Sequence, residues 1–351
     1  MYVVNARLLL QPGGLGRYSR EIIKCLHTPD IKVVAPSKPE YGSIRGQLWE
    51  QLTLPRYVGP HDVLWSPANL GPVRVHNQVV TIHDMAVLDH PEWFSPGVQM
   101  AFRIVVPRLV RSVEYVITDS AFSKDRLLAH FAIDPDKVIV IYPGVSTLTG
   151  ANGSDDAVSS PIDARHSKTA CSDCPYAIAY GLSDPRKNLG TLLEAWSYVV
   201  RDVPDLELAI VGGPSSRTFS RSASTREGPR IRYTGYLEDS ELADLYSGAS
   251  LFIYPSLYEG FGLPPLEAML YGVPSVVSDI PVLREVYGES VSYVDPYDPT
   301  DVARGVIETV VCGSAREELL KTFEVTLGKY SWDRAGEAVR GVLDRVSTGA
   351  A

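Results

Sequence analysis

Tyr258–Asp279 reads YEGFGLPPLEAMLYGVPSVVSD. The residues just before it, LFIYPS (Leu251–Ser256), are apolar and rich in aromatic and β-branched types, which predicts a strand. LYEGFGL then predicts a loop. Pro264 and Pro265 suit the first turn of a helix, where a missing N–H costs little. VPSVVSD predicts the following strand. Strand, glycine loop, helix and strand in that order form the repeating unit of a parallel sheet covered by helices.

The same stretch carries candidate chemistry. Gly260 and Gly262 let the backbone come close to a ligand. Backbone amides around Phe261 and Leu263, at the start of a helix, attract an anion such as a diphosphate. Glu259 and Glu267 would repel phosphate, but they can accept hydrogen bonds from hydroxyls, Glu259 from a sugar ring and Glu267 from a ribose. The segment can thus hold both ends of a nucleotide-sugar. The competing reading is a strand–turn–helix with solvated glutamates.

Working outward, the same rhythm recurs. VVNARLL (Val3–Leu9), IKVVAP, DVLWSP, VVTIHD, YVITDS and VIVIYPG predict strands in the first half, with GRYSREIIKCL and SAFSKDRLLAHF as helices between them. YAIAYG, LELAIVGG, RIRYTGY, LFIYPS, VPSVVSD and VSYVDP predict strands in the second half. Near-continuous apolar strands alternating with helices imply parallel sheets buried on both faces. Residues 146–174 are small, polar and aperiodic and read as a linker; 215–229 read as a polar loop. The expected architecture is α/β, with two doubly wound Rossmann-like domains facing across a cleft. The first spans 1–165 and the second 175–331, and a terminal helix at 332–351 packs back on the first.

At 351 residues the chain is too long for one ordinary core. Apolar residues make up 45% and charged residues 21%, the mix of a soluble globular chain. No apolar run reaches the ~20 residues of a membrane span, and MYVVNARLLLQPGG lacks the basic start of a signal peptide, so a cytoplasmic location is expected. Formal charge is −9, which argues against nucleic acid as a partner. Residues 1–150 carry +2 and the remainder −11. Cys171 and Cys174 form a lone CSDC without the second pair that zinc would want, and Cys25 and Cys312 fall in helical patterns.

Further candidates sit where strands end. Arg186 and Lys187, in GLSDPRKNLG, could neutralise a leaving diphosphate; the alternative is a solvated basic pair. His83 and Asp84 end VVTIHD. Asp119 and Ser120 end YVITDS, where the alternative is a helix N-cap. Gly212 and Gly213 close LELAIVGG. Tyr236 and Leu237 lie in TGYLEDSEL, with Asp239 or Ser240 as a helix cap. Gly13 and Gly14 form a glycine turn that lacks the third glycine of a dinucleotide fingerprint, so it does not read as NAD binding.

The E-x7-E stretch, PRKN, GGLGRY and TIHD together resemble the retaining glycosyltransferases of family GT4, which have the GT-B fold. TIHDMAVLDHPEWF is most similar to bacterial mannosyl- and rhamnosyltransferases of O-antigen and exopolysaccharide synthesis. The resemblance implies that a hexose passes from a nucleotide-sugar to a hydroxyl of a glycan or lipid-linked glycan with its anomeric configuration retained. His83, Glu259, Lys187 and Arg186 would be catalytic. Gly13, Gly14, Gly212, Tyr236, Leu237, Gly260, Phe261, Gly262, Leu263 and Glu267 would hold the donor, and Asp84, Asp119 and Ser120 the acceptor. GDP-mannose is the first donor expected, with dTDP- or UDP-sugars as alternatives, and neither a metal nor another cofactor is expected. Leu182 stands where many members carry an arginine, which Arg186 would replace.

FRIVVPRLVRS (Phe102–Ser112), with Arg103, Arg108 and Arg111, could touch an anionic membrane; against this, Pro107 is expected to interrupt the helix. Rival functions are a sugar-nucleotide epimerase of the same fold and a non-catalytic nucleotide-sugar binder.

Overall fold

The computed structural model describes residues 1–11, 13–37, 44–148, 175–181, 184–212 and 230–349. The chain divides into two compact units, Met1–Gly144 with Tyr330–Ala351, and Val145–Lys329.

In the first unit the order is β1 (Tyr2–Asn5), α1 (Gly14–Cys25), β2 (Ile31–Val34), α2 (Ile44–Leu48), β3 (Val63–Ser66), β4 (Gln78–Thr81), α3 (Ala86–Asp89), α4 (Pro96–Ser112), β5 (Tyr115–Thr118), α5 (Ala121–His130) and β6 (Val138–Val140). A π-helical turn, Trp49–Thr53, continues from α2. The second unit holds β7 (Tyr176–Tyr180), α6 (Leu189–Asp202), β8 (Glu207–Val211), β9 (Ile231–Gly235), α7 (Asp239–Gly248), β10 (Leu251–Tyr254), α8 (Leu263–Leu270), β11 (Ser275–Ser278), α9 (Pro281–Tyr287), β12 (Ser292–Val294), α10 (Pro299–Val311) and α11 (Gly313–Leu327). The last helix, α12 (Trp332–Thr348), belongs to the first unit.

Each unit has one six-stranded sheet, ordered β2-β1-β3-β4-β5-β6 and β12-β11-β10-β7-β8-β9. Every strand pairing within them is parallel. Both faces are covered: all four residues of β3, β4, β10 and β11 are buried, including the polar ends of β4 and β11. In the first unit α1 and α12 cover one face, packing Ile22, Ala335, Val339 and Leu343 onto Val4, Trp65 and Val79. In the second, α6 and α10 lay Leu192, Trp196, Val302 and Val306 on β7, β8, β10 and β11. Each fully buried aliphatic side chain contributes about 1.5–3 kcal/mol.

Strand order decides where a ligand fits. In each sheet the chain leaves its first strand toward one edge, then returns to lay a later strand on that strand's other side. The points of reversal lie between β1 and β3 and between β7 and β10. Ligands of such sheets bind outside the carboxyl ends of the strands at this reversal.

Three local expectations are corrected. Pro107 lies inside one continuous helix, α4. The lost hydrogen bond and ring clash cost ~3 kcal/mol, but burial of Ala101, Phe102, Val106, Leu109 and Val110 on one face outweighs that. The cap of α7 is Glu238, in a reciprocal capping box with Glu241, and not Asp239 or Ser240. Cys312 is exposed and precedes α11, while Cys25 is buried at the end of α1; both are free thiols. Leu182, Gly213, Cys171 and Cys174 lie outside the described residues.

Candidate active site

In the second unit, the loops after β7 and β10 meet at the reversal point. After β7 the chain passes Gly181, at φ +125°, and makes a short 3-10 turn, Pro185–Lys187. A Cβ on Gly181 would lie 2.3 Å from the Lys187 Cβ, so glycine is what lets Lys187 fold back against the strand. Asn188, at φ 56°, then opens α6. The Leu257 amide donates to the Arg186 carbonyl at 2.8 Å, which ties the β10 loop to the β7 loop.

Lys187 is the centre of this junction. Its Nζ donates to Glu259 Oε1 at 2.6 Å and to the Tyr254 hydroxyl at 2.7 Å, and it stands 4.5 Å from the Tyr254 ring centroid. An ammonium has three donors, so one N–H remains for a ligand. Burial, then the neighbouring Glu259 carboxylate, push the Tyr254 phenol well above its ordinary value, so it stays neutral and keeps its proton. Arg186 is committed locally: its Nε and Nη2 fork onto the Asp184 carboxylate at 2.7–3.0 Å. Burial pushes Asp184 up, but the charge and hydrogen bonds of Arg186 more than offset this and hold it below the usual carboxylate range.

Gly262 opens α8 at φ 93°; a Cβ there would also press to 2.9 Å from the Leu283 side chain. Its carbonyl accepts a short hydrogen bond from Tyr287. Because Pro264 and Pro265 carry no N–H, two of the first four α8 positions offer nothing to an anion, which leaves Leu263 and Leu266. Glu267 is buried beside the Tyr246 hydroxyl, 3.5 Å from Oε2, and Tyr246 in turn meets the Tyr180 hydroxyl at 2.8 Å. Gly260 and Phe261 are buried, and Tyr236 is exposed with Leu237 half-buried beyond β9. The Gly212 amide donates to the Gly235 carbonyl at 3.0 Å.

The first unit brings His83 and Asp119 together from the ends of β4 and β5. His83 Nδ1 lies 2.6 Å from Asp119 Oδ2, and Nε2 lies 2.8 Å from the Pro67 carbonyl. A carbonyl only accepts, so Nε2 carries a proton. Burial alone would lower the His83 pKa, but the Asp119 charge and hydrogen bond, the Pro67 carbonyl and Asp84 together raise it. Its backbone is pinned as well: the amide donates to Asn69 Oδ1 at 2.8 Å, and the carbonyl accepts from Ser123 Oγ at 2.9 Å. The Tyr18 ring stands edge-on, 4.7 Å between centroids. Ser120 is the N-cap of α5, accepting from the Ser123 amide at 3.0 Å. Asp84 Oδ1 accepts from the Ala86 amide at 2.9 Å. Gly13 and Gly14 are exposed at the start of α1.

The reversal point of this unit holds residues that sequence reasoning missed. Glu50, from the π-helical turn, accepts from Asn5 Nδ2 at 2.5 Å and from Arg7 Nε at 3.3 Å. All three are buried. Tyr254, Asp184 and Asn188 were also missed. An Asp two residues before Arg186 and a tyrosine ending LFIY were the available signals. Among the described residues no group of three or more His, Cys, Asp and Glu could hold a metal ion, and no helix is long and apolar enough to cross a membrane.

A family model described as glycosyl transferases group 1 matches residues 163–322, and one for glycosyltransferase family 4 matches 61–147. The O-antigen chain mannosyltransferase B of Escherichia coli is 30% identical over 271 residues, covering 75% of this chain and 68% of that protein. The chain belongs to the family 4 glycosyltransferases. The O-antigen chain mannosyltransferase RfbU of Salmonella typhimurium is 31% identical over 230 residues, or 64% of this glycosyltransferase and 58% of that protein. Among solved structures, sucrose-phosphate synthase from Thermosynechococcus elongatus superposes with a TM-score of 0.72 at 19% identity, covering 100% of this chain and 99% of that one. The two parallel six-stranded sheets with their helices are thus the GT-B fold expected from the sequence.

Proposed function

We propose that this glycosyltransferase moves a mannosyl group from GDP-mannose to a hydroxyl of a glycan acceptor in cell-surface polysaccharide synthesis. The observation that carries the reading is the Lys187–Glu259–Tyr254 junction at the β7/β10 reversal point, in a chain related to O-antigen mannosyltransferases. The donor diphosphate takes the remaining Lys187 N–H and the amides around Gly262 and Leu263. Glu267, steadied by Tyr246, accepts from the ribose. Glu259 accepts from the sugar and keeps Lys187 oriented.

The bond from the anomeric carbon to the diphosphate oxygen breaks as the acceptor oxygen bonds to the same face of that carbon. The acceptor proton passes to the departing phosphate oxygen. His83, with both ring nitrogens engaged, acts as a fixed positive group in the first unit and not as a base. Lys187, and Arg186 if it leaves Asp184, supply positive charge to the phosphates, so the reaction proceeds without added metal.

The exposed face of α4 carries Met100, Ile104, Arg103, Arg108 and Arg111 without an acidic residue; it would dock on an anionic bilayer that presents a lipid-linked acceptor. Vesicle flotation should depend on anionic lipid and weaken in Ile104→Glu.

The test is transfer itself, in the presence of a chelator. GDP release from GDP-mannose should require an acceptor and yield an α-linked product. Release without acceptor would favour an epimerase or hydrolase. Transfer from dTDP- or UDP-sugars alone would change the donor and leave the reaction class standing.

A further inference from the structure

We propose that a cavity of about 450 Å³ at the carboxyl ends of β11 and β12 is an accessory groove for a neutral glycan. It would hold part of the growing acceptor chain, an assignment that rests on the glycosyl-transfer reading above. Asp279 directly follows β11 and Asp295 directly follows β12, so the cavity opens on the ligand-binding edge of the second sheet. The donor junction around Lys187 lies elsewhere on that edge and does not use these residues.

The walls are planar and held in place. Arg284 forks onto Asp279, Nε to Oδ1 at 2.7 Å and Nη2 to Oδ2 at 2.8 Å, and lies 3.7 Å over the Tyr293 ring. The Tyr293 hydroxyl shares its one proton between two backbone carbonyls of α9 and its end, Gly288 at 2.8 Å and Leu283 at 3.1 Å. Asp295 Oδ1 accepts from the Tyr297 amide at 2.9 Å. Asp301 closes the far wall by accepting from the Asp295 amide at 2.8 Å.

Hydrogen-bonding capacity is left over on the same walls. Among the described residues, Arg284 Nη1, Asp295 Oδ2 and the Tyr297 hydroxyl have no protein partner. Tyr297 is 72% exposed at the rim, although it is a large aromatic side chain. A pyranose has C–H faces that lie on an aromatic ring and hydroxyls that need both donors and acceptors around them. Tyrosine, guanidinium and carboxylate offer that set.

Charge narrows the choice. Asp279 pairs with Arg284 and Asp301 with Arg304, which among the described residues leaves the Asp295 carboxylate without a cation, so a phosphate or acidic sugar is repelled and a neutral sugar is not. The cavity is also tied to the reaction loop. Asn188, the residue after Lys187, donates from Nδ2 to the Pro296 carbonyl in the cavity wall at 2.6 Å. A glycan ordered in the groove therefore rests on the same rigid framework as the donor loop, and acceptors long enough to reach it bind more tightly.

Titration of the full chain with mannohexaose, rhamnohexaose, maltohexaose and, as a short control, mannobiose tests this, alongside Tyr297→Ala and Asp295→Asn. Both sites are exposed, and asparagine can still accept from the Tyr297 amide, so the thermal midpoint should not move. The wild type should bind at least one hexasaccharide, and Tyr297→Ala should weaken it about tenfold. KM for the long acceptor should rise while transfer to the disaccharide and KM for the donor stay unchanged. The groove is overturned if no hexasaccharide binds the wild type, or if both variants bind as the wild type does. Absence of transfer to every acceptor would sink the functional reading, but the direct titration would still decide the groove.

Discussion

At the reversal point of the first sheet, Asn5, Arg7 and Glu50 fill the space between the ends of β1 and β3, each no more than 6% exposed. At the reversal point of the second, Lys187 and Glu259 meet between the ends of β7 and β10 with one lysine donor uncommitted. Both are a cation paired with a carboxylate. One is a plug, and the other is a pair that can open to a ligand. The difference lies in which turn meets the strand ends. In the first unit the π-helical turn brings Glu50 over the strand ends, whereas in the second the Pro185–Lys187 turn holds the cation at the lip of the glycine loop. The same topology thus makes a closed joint in one half and, in the other, a junction that keeps one lysine donor uncommitted.

The comparison breaks first at Glu50. Glu50→Ala leaves Arg7 charged and buried without its carboxylate, and should cost ~3–5 kcal/mol of unfolding free energy in a denaturant titration. A loss below ~1 kcal/mol would mean that the plug is not holding the first unit together. Next is Lys187→Ala, which should lower kcat/KM by about 10²–10³, or ~3–4 kcal/mol, in addition to the stability lost when buried Glu259 is left without its cation. If stability fell and catalysis did not, the second reversal point would be a plug as well.

His83 gives the third contrast, because its charge is coupled to folding. Its pKa is raised in the folded chain above the ordinary 6.5. The stability it contributes is therefore fully present below about pH 6.5 and is lost as pH rises through the raised value. Asp119→Asn should flatten that alkaline loss in a series of thermal midpoints. An unchanged pH dependence would mean that the pair contributes nothing. The smallest effect is the control: the exposed Arg304 pairs with Asp301 and Glu308, and Arg304→Ala should cost only ~0.2–1 kcal/mol.

Much of this was legible in the sequence for physical reasons. A parallel sheet buried on both faces leaves a nearly unbroken apolar signature, clearest in β10 (LFIY) and β3 (VLWS) and narrowed to a central Val-Val in β4 and β11. Pro107 misled because its local cost is visible in sequence, while the burial that outweighs it is tertiary. The candidate site was legible as residue types at strand ends. What the sequence could not display was pairing: Lys187 and Glu259 are 72 residues apart, and His83 and Asp119 are 36 apart. Nor could it show that Asp184 already occupies Arg186, or that Asp119 holds the histidine, whereas the helix-cap reading of Ser120 is borne out.

The proposed role of the Lys187 junction is to receive the donor diphosphate. Its most direct test is the thermal shift of wild type and Lys187→Ala with GDP, UDP, dTDP and ADP, without added metal. At 100 times its Kd a nucleotide should stabilise the wild type by ~2.7 kcal/mol. A clear shift is expected with one of them, GDP first, together with its loss in Lys187→Ala. A shift of equal size in both proteins, or none with any nucleotide, would contradict it.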